Sequence, residues 1–142
     1  MKRILIPTDF SEGAFKAIEY GIDLAKEFNT EIIICHAFEL PAQGINVLID
    51  ISSELQKNAQ DDLKKLKEKI KRLKIATGIK IDYFALLGEL NDVINTLGEE
   101  NDIDLVVMGT KGEGDLASKL FGTNTVSAIK NCKLPLFVIP KE

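Results

Sequence analysis

The sequence predicts an α/β fold, a three-layer αβα sandwich built on a five-stranded parallel sheet. Two observations carry that prediction. Short runs rich in Ile, Val and Leu recur at residues 3–7, 31–38, 79–86, 104–108 and 136–139. Most are continuously apolar rather than alternating, which is the pattern of strands covered on both faces. Helical periodicity fills every gap between them. Strands separated by helices take right-handed crossovers, which lay the strands parallel and place helices on the sheet.

Each element has its own signal. The first strand, RILIP, breaks at Pro7. Ser11 is an N-cap for a first helix in which Ala14, Ala17, Ile18, Gly21, Ile22 and Ala25 form a small-to-apolar stripe as far as Asn29. The second strand is EIIICHAF. In the second helix Leu55, Ala59, Leu63, Leu66, Ile70 and Leu73 recur at spacings of three and four, giving one apolar face. The third strand, IKIDYFAL, alternates more, with Lys80 and Asp82 on one side, and is therefore placed at a sheet edge. Asn91 is read as the cap of a short third helix carrying Val93, Ile94 and Leu97 and ended by Gly98. The fourth strand is DLVVM. Thr123 then opens a fourth helix, with Val126 and Ile129 expected inward, and LFVI is the last strand.

Composition narrows the function. A chain of 142 residues is expected to form one domain, 1–142, large enough to bury a core. It is 45% apolar and 28% charged with a formal net charge of −4, so no global basic field exists to draw in DNA or RNA. No apolar run has the length of a membrane span. Met-Lys-Arg looks like the start of a signal peptide, but the apolar stretch behind it stops at Pro7 and Asp9. Cys35 and Cys132 lack metal-ligand spacing and read as reduced thiols, so a cytoplasmic location is expected. Between residues 64 and 74 seven basic residues face one acid, Glu68; on an amphipathic helix this is a solvated outer face. Residues 41–52 bring Ile45, Val47, Leu48, Ile49 and Ile51 into a connection or the first turns of the second helix. Packing over the sheet, a ligand lid and a partner surface are all open to that segment.

In an open parallel sheet, ligands bind beyond the carboxyl ends of the strands, where the chain order reverses. The first strand ends in Pro7-Thr8-Asp9-Phe10-Ser11, a carboxylate and two hydroxyls. The fourth ends in a glycine-rich stretch with Gly109, Gly112, Gly114 and Gly122. Its glycines let backbone N–H groups converge on an anion, and the helix opening at Gly122-Thr123 adds unpaired N–H groups and a positive dipole end. Thr123 and Thr125 add hydroxyls, and Lys111 adds a cation. The alternative is a loop whose glycines serve turns alone. For Asp9, a cleft position and a local turn role are both open.

Two better-known phosphate motifs fail. Gly109 and Gly114 have P-loop spacing, but Asp115 and Leu116 replace the required Lys and Ser/Thr. The stretch after Gly112-Glu113-Gly114 lacks the third glycine of a dinucleotide fingerprint. Catalytic groups are scarce as well. His36 is the only histidine and reads as a satisfied structural residue rather than a general base. Cys35 beside it points to the other face, so the two form no nucleophile–base pair. One aspartate without a base or second carboxylate does not make a hydrolase.

These residues together resemble the universal stress protein family over essentially the whole chain. The opening ILIPTDFSEGAFKAIEYGIDLAKEFNTEIIICHAF is similar to that family's first β-α-β unit, including the Pro-Thr-Asp-x-Ser turn. The family's nucleotide-binding branch carries G-x-x-G, nine residues, then G-[ST]. Here Gly109-Thr110-Lys111-Gly112 is followed by nine residues and then Gly122-Thr123.

The resemblance implies strand order 3-2-1-4-5 and binding of ATP or AMP between strands 1 and 4, with Mg2+ accompanying the phosphates. It implies that Gly109, Gly112, Gly122 and Thr123 surround the ribose and phosphates, with Asn124 and Thr125 continuing the helix N-terminus. Pro7, Thr8 and Asp9 would meet the adenosine end, Ala37 the adenine through its backbone, and Met108 would pack nearby. It further implies a homodimer paired through the last strand, Leu136 to Ile139, acting as a stress-response sensor or regulator with little or no hydrolysis. Three departures stand out: Lys111 replaces a more usual His or Arg, Leu90 replaces a common proline, and Glu113 and Gly114 make the loop more acidic and more flexible than usual. A protein-interaction module of the non-nucleotide branch and a weakly hydrolysing or adenylating enzyme are the competing expectations.

Overall fold

A computed structural model describes residues 1–41, 45–110 and 121–141 of the chain, with side chains of 45–50 outside the description. Nine elements follow in strict alternation: β1 (Arg3–Pro7), α1 (Glu12–Phe28), β2 (Glu31–Phe38), α2 (Ile45–Leu73), β3 (Ile81–Leu87), α3 (Leu90–Glu100), β4 (Leu105–Gly109), α4 (Thr123–Asn131) and β5 (Leu136–Ile139). The strands form one parallel sheet in the order β3-β2-β1-β4-β5. This is the expected order, with the third strand at an edge as its alternation predicts.

The continuously apolar strands β1, β2 and β4 are buried on both faces, whereas the apolar β5 leaves Phe137 exposed. Ile4, Ile6, Ile32, Ile34 and Val107 pack against Ala17, Ile18 and Ile22 of α1 and Leu63, Leu66 and Ile70 of α2. Leu5, Ile33, Cys35 and Val106 point the other way, onto Val93, Ile94 and Leu97 of α3. Successive residues of one strand thus feed two separate cores, which is the period-2 geometry of a strand between two helical layers.

Helix α1 is bounded as its sequence reads. The Ser11 side chain accepts the Ala14 N–H, and Asn29 closes the helix in the left-handed region at φ 54°, its N–H reaching the Ala25 carbonyl. Helix α2 takes in residues 45–51 as its first turns, so the apolar segment begins a helix; residues 42–44 lie outside the described residues. The lysines of its basic run are exposed, with Lys69 lying over the Phe15 ring, 3.8 Å from its centroid, and Lys67 over Tyr83. Ring faces account for where Lys67 and Lys69 lie.

Four local expectations need correction. The third strand starts at Ile81, because Ile79 is held in the preceding turn by its N–H bond to Ala76. The fourth starts at Leu105, one residue later than expected, with the Asp104 N–H donating to the Arg3 carbonyl just ahead of it. Glu89, not Asn91, caps α3, its side chain accepting the Asn91 N–H, and α3 runs through Gly98 to Glu100. Gly98 is a contact residue there: a Cβ on it would sit 2.8 Å from a Leu134 methyl. Finally, Val126 and Ile129 of α4 are exposed, whereas Thr125 and Ala128 are buried. Two polar contacts set that rotation. The Thr125 hydroxyl donates to the Gly109 carbonyl at 2.7 Å, and the Asn91 amide donates to the Ser127 hydroxyl at 2.6 Å.

Asp104 fastens the N-terminal residues to the start of β4. Its Oδ2 accepts the Lys2 N–H at 2.5 Å and the Arg3 N–H at 3.2 Å. These two bonds, the Lys2 one first, hold the carboxyl below its usual range. A depressed carboxylate contributes stability that is present above the unfolded value and lost as pH falls through the lower folded value. Urea unfolding of wild type and Asp104→Asn from neutral pH into acid should therefore show the wild type losing more stability, with the two chains converging at the acid end. A second expectation concerns Gly109, where a Cβ would lie 3.0 Å from the Gly13 carbonyl oxygen at the start of α1. Gly109→Ala should lower the stability measured in urea by about 1–3 kcal/mol, the usual cost of overpacking.

Candidate functional site

The sheet order reverses between β1 and β4, and their carboxyl ends open into a cleft. It is lined by Pro7, Thr8, Asp9, Ala37, Met108, Gly109, Asn124 and Thr125, together with Ala14, His36 and Leu90. Eight of the twelve residues predicted from the sequence are thus brought to one place by three strand ends and one helix start. Lys111 and Gly112, like the neighbouring Glu113 and Gly114, lie outside the described residues. Thr123 opens α4 but turns to a groove on its outer side, with Phe121, Val126 and Lys130.

The turn after β1 is shaped by its own side chains. The Thr8 hydroxyl accepts the Phe10 N–H at 3.0 Å, and Asp9 Oδ1 accepts the Ser11 N–H at 3.0 Å. Asp9 therefore combines the two roles its sequence leaves open: it makes a local Asx-type turn and it faces the cleft. Among the described lining residues it is the only carboxylate.

The opposite wall is the β4–α4 connection. Thr110 donates its N–H to the Ile139 carbonyl, and its own carbonyl accepts the Gly122 N–H at 2.6 Å. That bond brings the two ends of the glycine-rich stretch together, so the start of α4 lies over the end of β4. Gly122 is the N-cap, and no side chain caps the helix among the described residues. The first intrahelical bond is Val126 N–H to the Gly122 carbonyl. The N–H groups of the helix's first residues and its positive dipole end are consequently available to an anion. The Thr125 hydroxyl is not, since it donates to Gly109; its expected role as a phosphate donor gives way to an anchoring one. Gly109 ends β4 without a positive φ. Its glycine identity answers to the approach of α1, as the short Cβ distance to Gly13 shows.

His36 and Cys35 make no catalytic pair. Burial pushes the Cys35 thiol up to about 12, so it stays a protonated core residue. His36 Nδ1 is 2.7 Å from the Thr8 carbonyl oxygen, a satisfied structural histidine as expected. Among the described residues no group of three or more His, Cys, Asp or Glu is arranged to hold a metal ion. Ala14 and Leu90 were not singled out as cleft residues from the sequence. Ala14 carries a usable signal: the Ser11 cap fixes the first turn of α1, and that turn must face the strand ends.

The comparisons agree with this architecture. Residues 1–140 match the universal stress protein family. Universal stress protein MJ0531 of Methanocaldococcus jannaschii is 34% identical over 146 aligned residues, covering 99% of this chain and 82% of that protein. Among solved structures, UspA of Lactobacillus plantarum superposes with a TM-score of 0.83 at 19% identity over 97% of each chain. A family protein from Arabidopsis thaliana, solved with AMP bound, superposes with a TM-score of 0.65 at 15% identity, covering all of this chain and 93% of that one. With the whole fold and nearly the whole sequence matched, the chain belongs to the universal stress protein family.

Proposed function

We infer that this universal stress protein is an adenine-nucleotide binder, taking ATP or AMP in the cleft between β1 and β4 and acting as a cytoplasmic, homodimeric sensor or regulator. The observation that carries this reading is the cleft itself. It sits at the sheet's topological reversal, with a carboxylate on one wall and a helix N-terminus without a side-chain cap on the other. The AMP carried by the Arabidopsis relative supports the ligand class.

The enclosed space is about 70 Å³, small against the roughly 300–1,000 Å³ of a typical ligand pocket. A nucleotide would seat one end in it and lie along its open rim with the rest. Adenine and ribose suit the inner end, where the Ala37 backbone and the Asp9 carboxylate offer hydrogen bonds. The phosphates suit the outer end, over Gly122, Thr123 and Asn124, with Lys111 and Gly112 in the intervening motif. Mg2+ would then be held mainly by phosphate oxygens, as it usually is. Hydrolysis needs a group that activates water, and among the described residues neither Asp9, whose Oδ1 accepts the Ser11 N–H, nor His36, whose Nδ1 faces the Thr8 carbonyl, is arranged as one. The reading is therefore binding without efficient turnover.

The dimer reading rests on β5, a sheet edge whose Phe137 is 48% exposed, and on the outward Ile129 of α4, 53% exposed. An apolar strand edge left in water invites pairing with a second copy.

Titration calorimetry with Mg-ATP and AMP should give saturable binding at micromolar to millimolar nucleotide, weakened at least tenfold in Gly122→Val, whose side chain would crowd the phosphate end. Absence of binding at millimolar nucleotide would refute the reading in favour of an interaction module. Light scattering should find a dimer, and Phe137→Glu should shift it to monomer without altering the circular dichroism spectrum.

A further inference from the structure

On the reading above, the adenosine end of the cleft is made by two chain segments, the turn following β1 and the end of β2. Two hydrogen bonds join them. One is backbone, from the Thr8 N–H to the Cys35 carbonyl at 2.8 Å. The other is a side chain: His36 Nδ1 lies 2.7 Å from the Thr8 carbonyl oxygen. A carbonyl oxygen only accepts, so Nδ1 carries a proton whether the ring is neutral or charged. The neutral ring is thereby the Nδ1–H tautomer.

The turn has reason to need this tie. Phe10 has φ 67°, a left-handed conformation that a bulky aromatic residue seldom occupies and that persists only where surroundings hold it. Its ring packs on His36, with centroids 4.6 Å apart and planes at 48°. The bonds to Phe10 and Ser11 N–H groups are local, each spanning two residues. They shape the turn but do not fix its place relative to β2. The His36 imidazole does so twice, by the bond to Thr8 and by contact with Phe10.

We propose that His36 is a positioning residue for nucleotide binding: through Nδ1–H and the Thr8 carbonyl it holds the turn that presents Asp9 to the adenosine end. The proposal deepens the nucleotide reading and rests on it, but part of it is measurable without ligand. Nitrogen-15 NMR of the free protein, at a pH where the ring is seen to be neutral, should show the Nδ1–H tautomer; the Nε2–H tautomer would overturn the assignment. Calorimetry with adenosine, AMP and ATP then compares His36→Leu, which lacks the donor, with His36→Asn, whose amide N–H stands near the position of Nδ1. His36→Leu should weaken all three ligands by the same factor, roughly tenfold, the scale of one lost buried hydrogen bond. His36→Asn should recover most of that loss, and in an Asp9→Ala background His36→Leu should add nothing. Equal losses in the Asn and Leu variants, or an effect additive with Asp9→Ala, would assign His36 to packing or direct contact and overturn the proposal. A wild-type chain that binds none of the three overturns the nucleotide reading and this inference with it. A wild type that binds while His36→Leu is indifferent overturns the inference alone.

Discussion

Strand β1 is hydrogen-bonded on both sides and buried on both faces, and the remaining layers are arranged by that constraint. It pairs with β2 through Arg3 to Pro7 and with β4 through Ile4 and Leu5. Ile4, Leu5 and Ile6 are wholly buried, two facing the α1–α2 layer and one facing α3. A strand with apolar side chains on both faces cannot be covered by helices on one side alone. The chain therefore crosses over one face on its way to β2 and β3, and over the other, through α3, on its way back to β4. The gap between those two directions is the cleft, so the burial of three central residues and the location of the site are one consequence.

At the cleft, few residues serve a single purpose. Gly109 takes the Thr125 hydroxyl on its carbonyl while leaving room for the start of α1. Thr110 ties β4 to β5 through its N–H and to α4 through its carbonyl. Asp9 shapes its own turn and faces the cleft. Among the described residues, the walls of the cleft are thus made by strand ends, the turn after β1 and helix starts. Among the described lining residues Asp9 is the only carboxylate.

The parts legible in the sequence were those governed by local rules. The Ser11 cap, the Asn29 stop, the α2 stripe from Ala59 to Ile70 and the strand runs all appear where their patterns place them, within one or two residues. Most of the glycine-spaced stretch from Gly109 to Gly122-Thr123 lies outside the described residues, and Gly109 itself answers to the approach of α1. Legibility failed where a residue had two physical uses. Gly98 reads as a helix stop, yet its small size is spent on Leu134. Thr125 reads as a phosphate donor, yet its hydroxyl is spent on Gly109. Val126 and Ile129 read as core, yet α4 lies near the β5 edge of the sheet and is rotated by two polar contacts that leave them outside.

The sequence by itself determined the succession of elements, the parallel sheet and the family likeness, because periodicity, caps and glycine spacing act over one or a few turns of chain. Only the tertiary structure decided which face α4 turns inward, that Glu89 and not Asn91 starts α3, and that His36 reaches the Thr8 carbonyl 28 residues away in the chain. Apart from the Glu89 cap, whose bond to the Asn91 N–H is local, those outcomes depend on contacts between segments distant in sequence. Hydrogen bonds such as Thr125 to Gly109 and Asn91 to Ser127 form only once the sheet has set the helices side by side, and no local pattern encodes them.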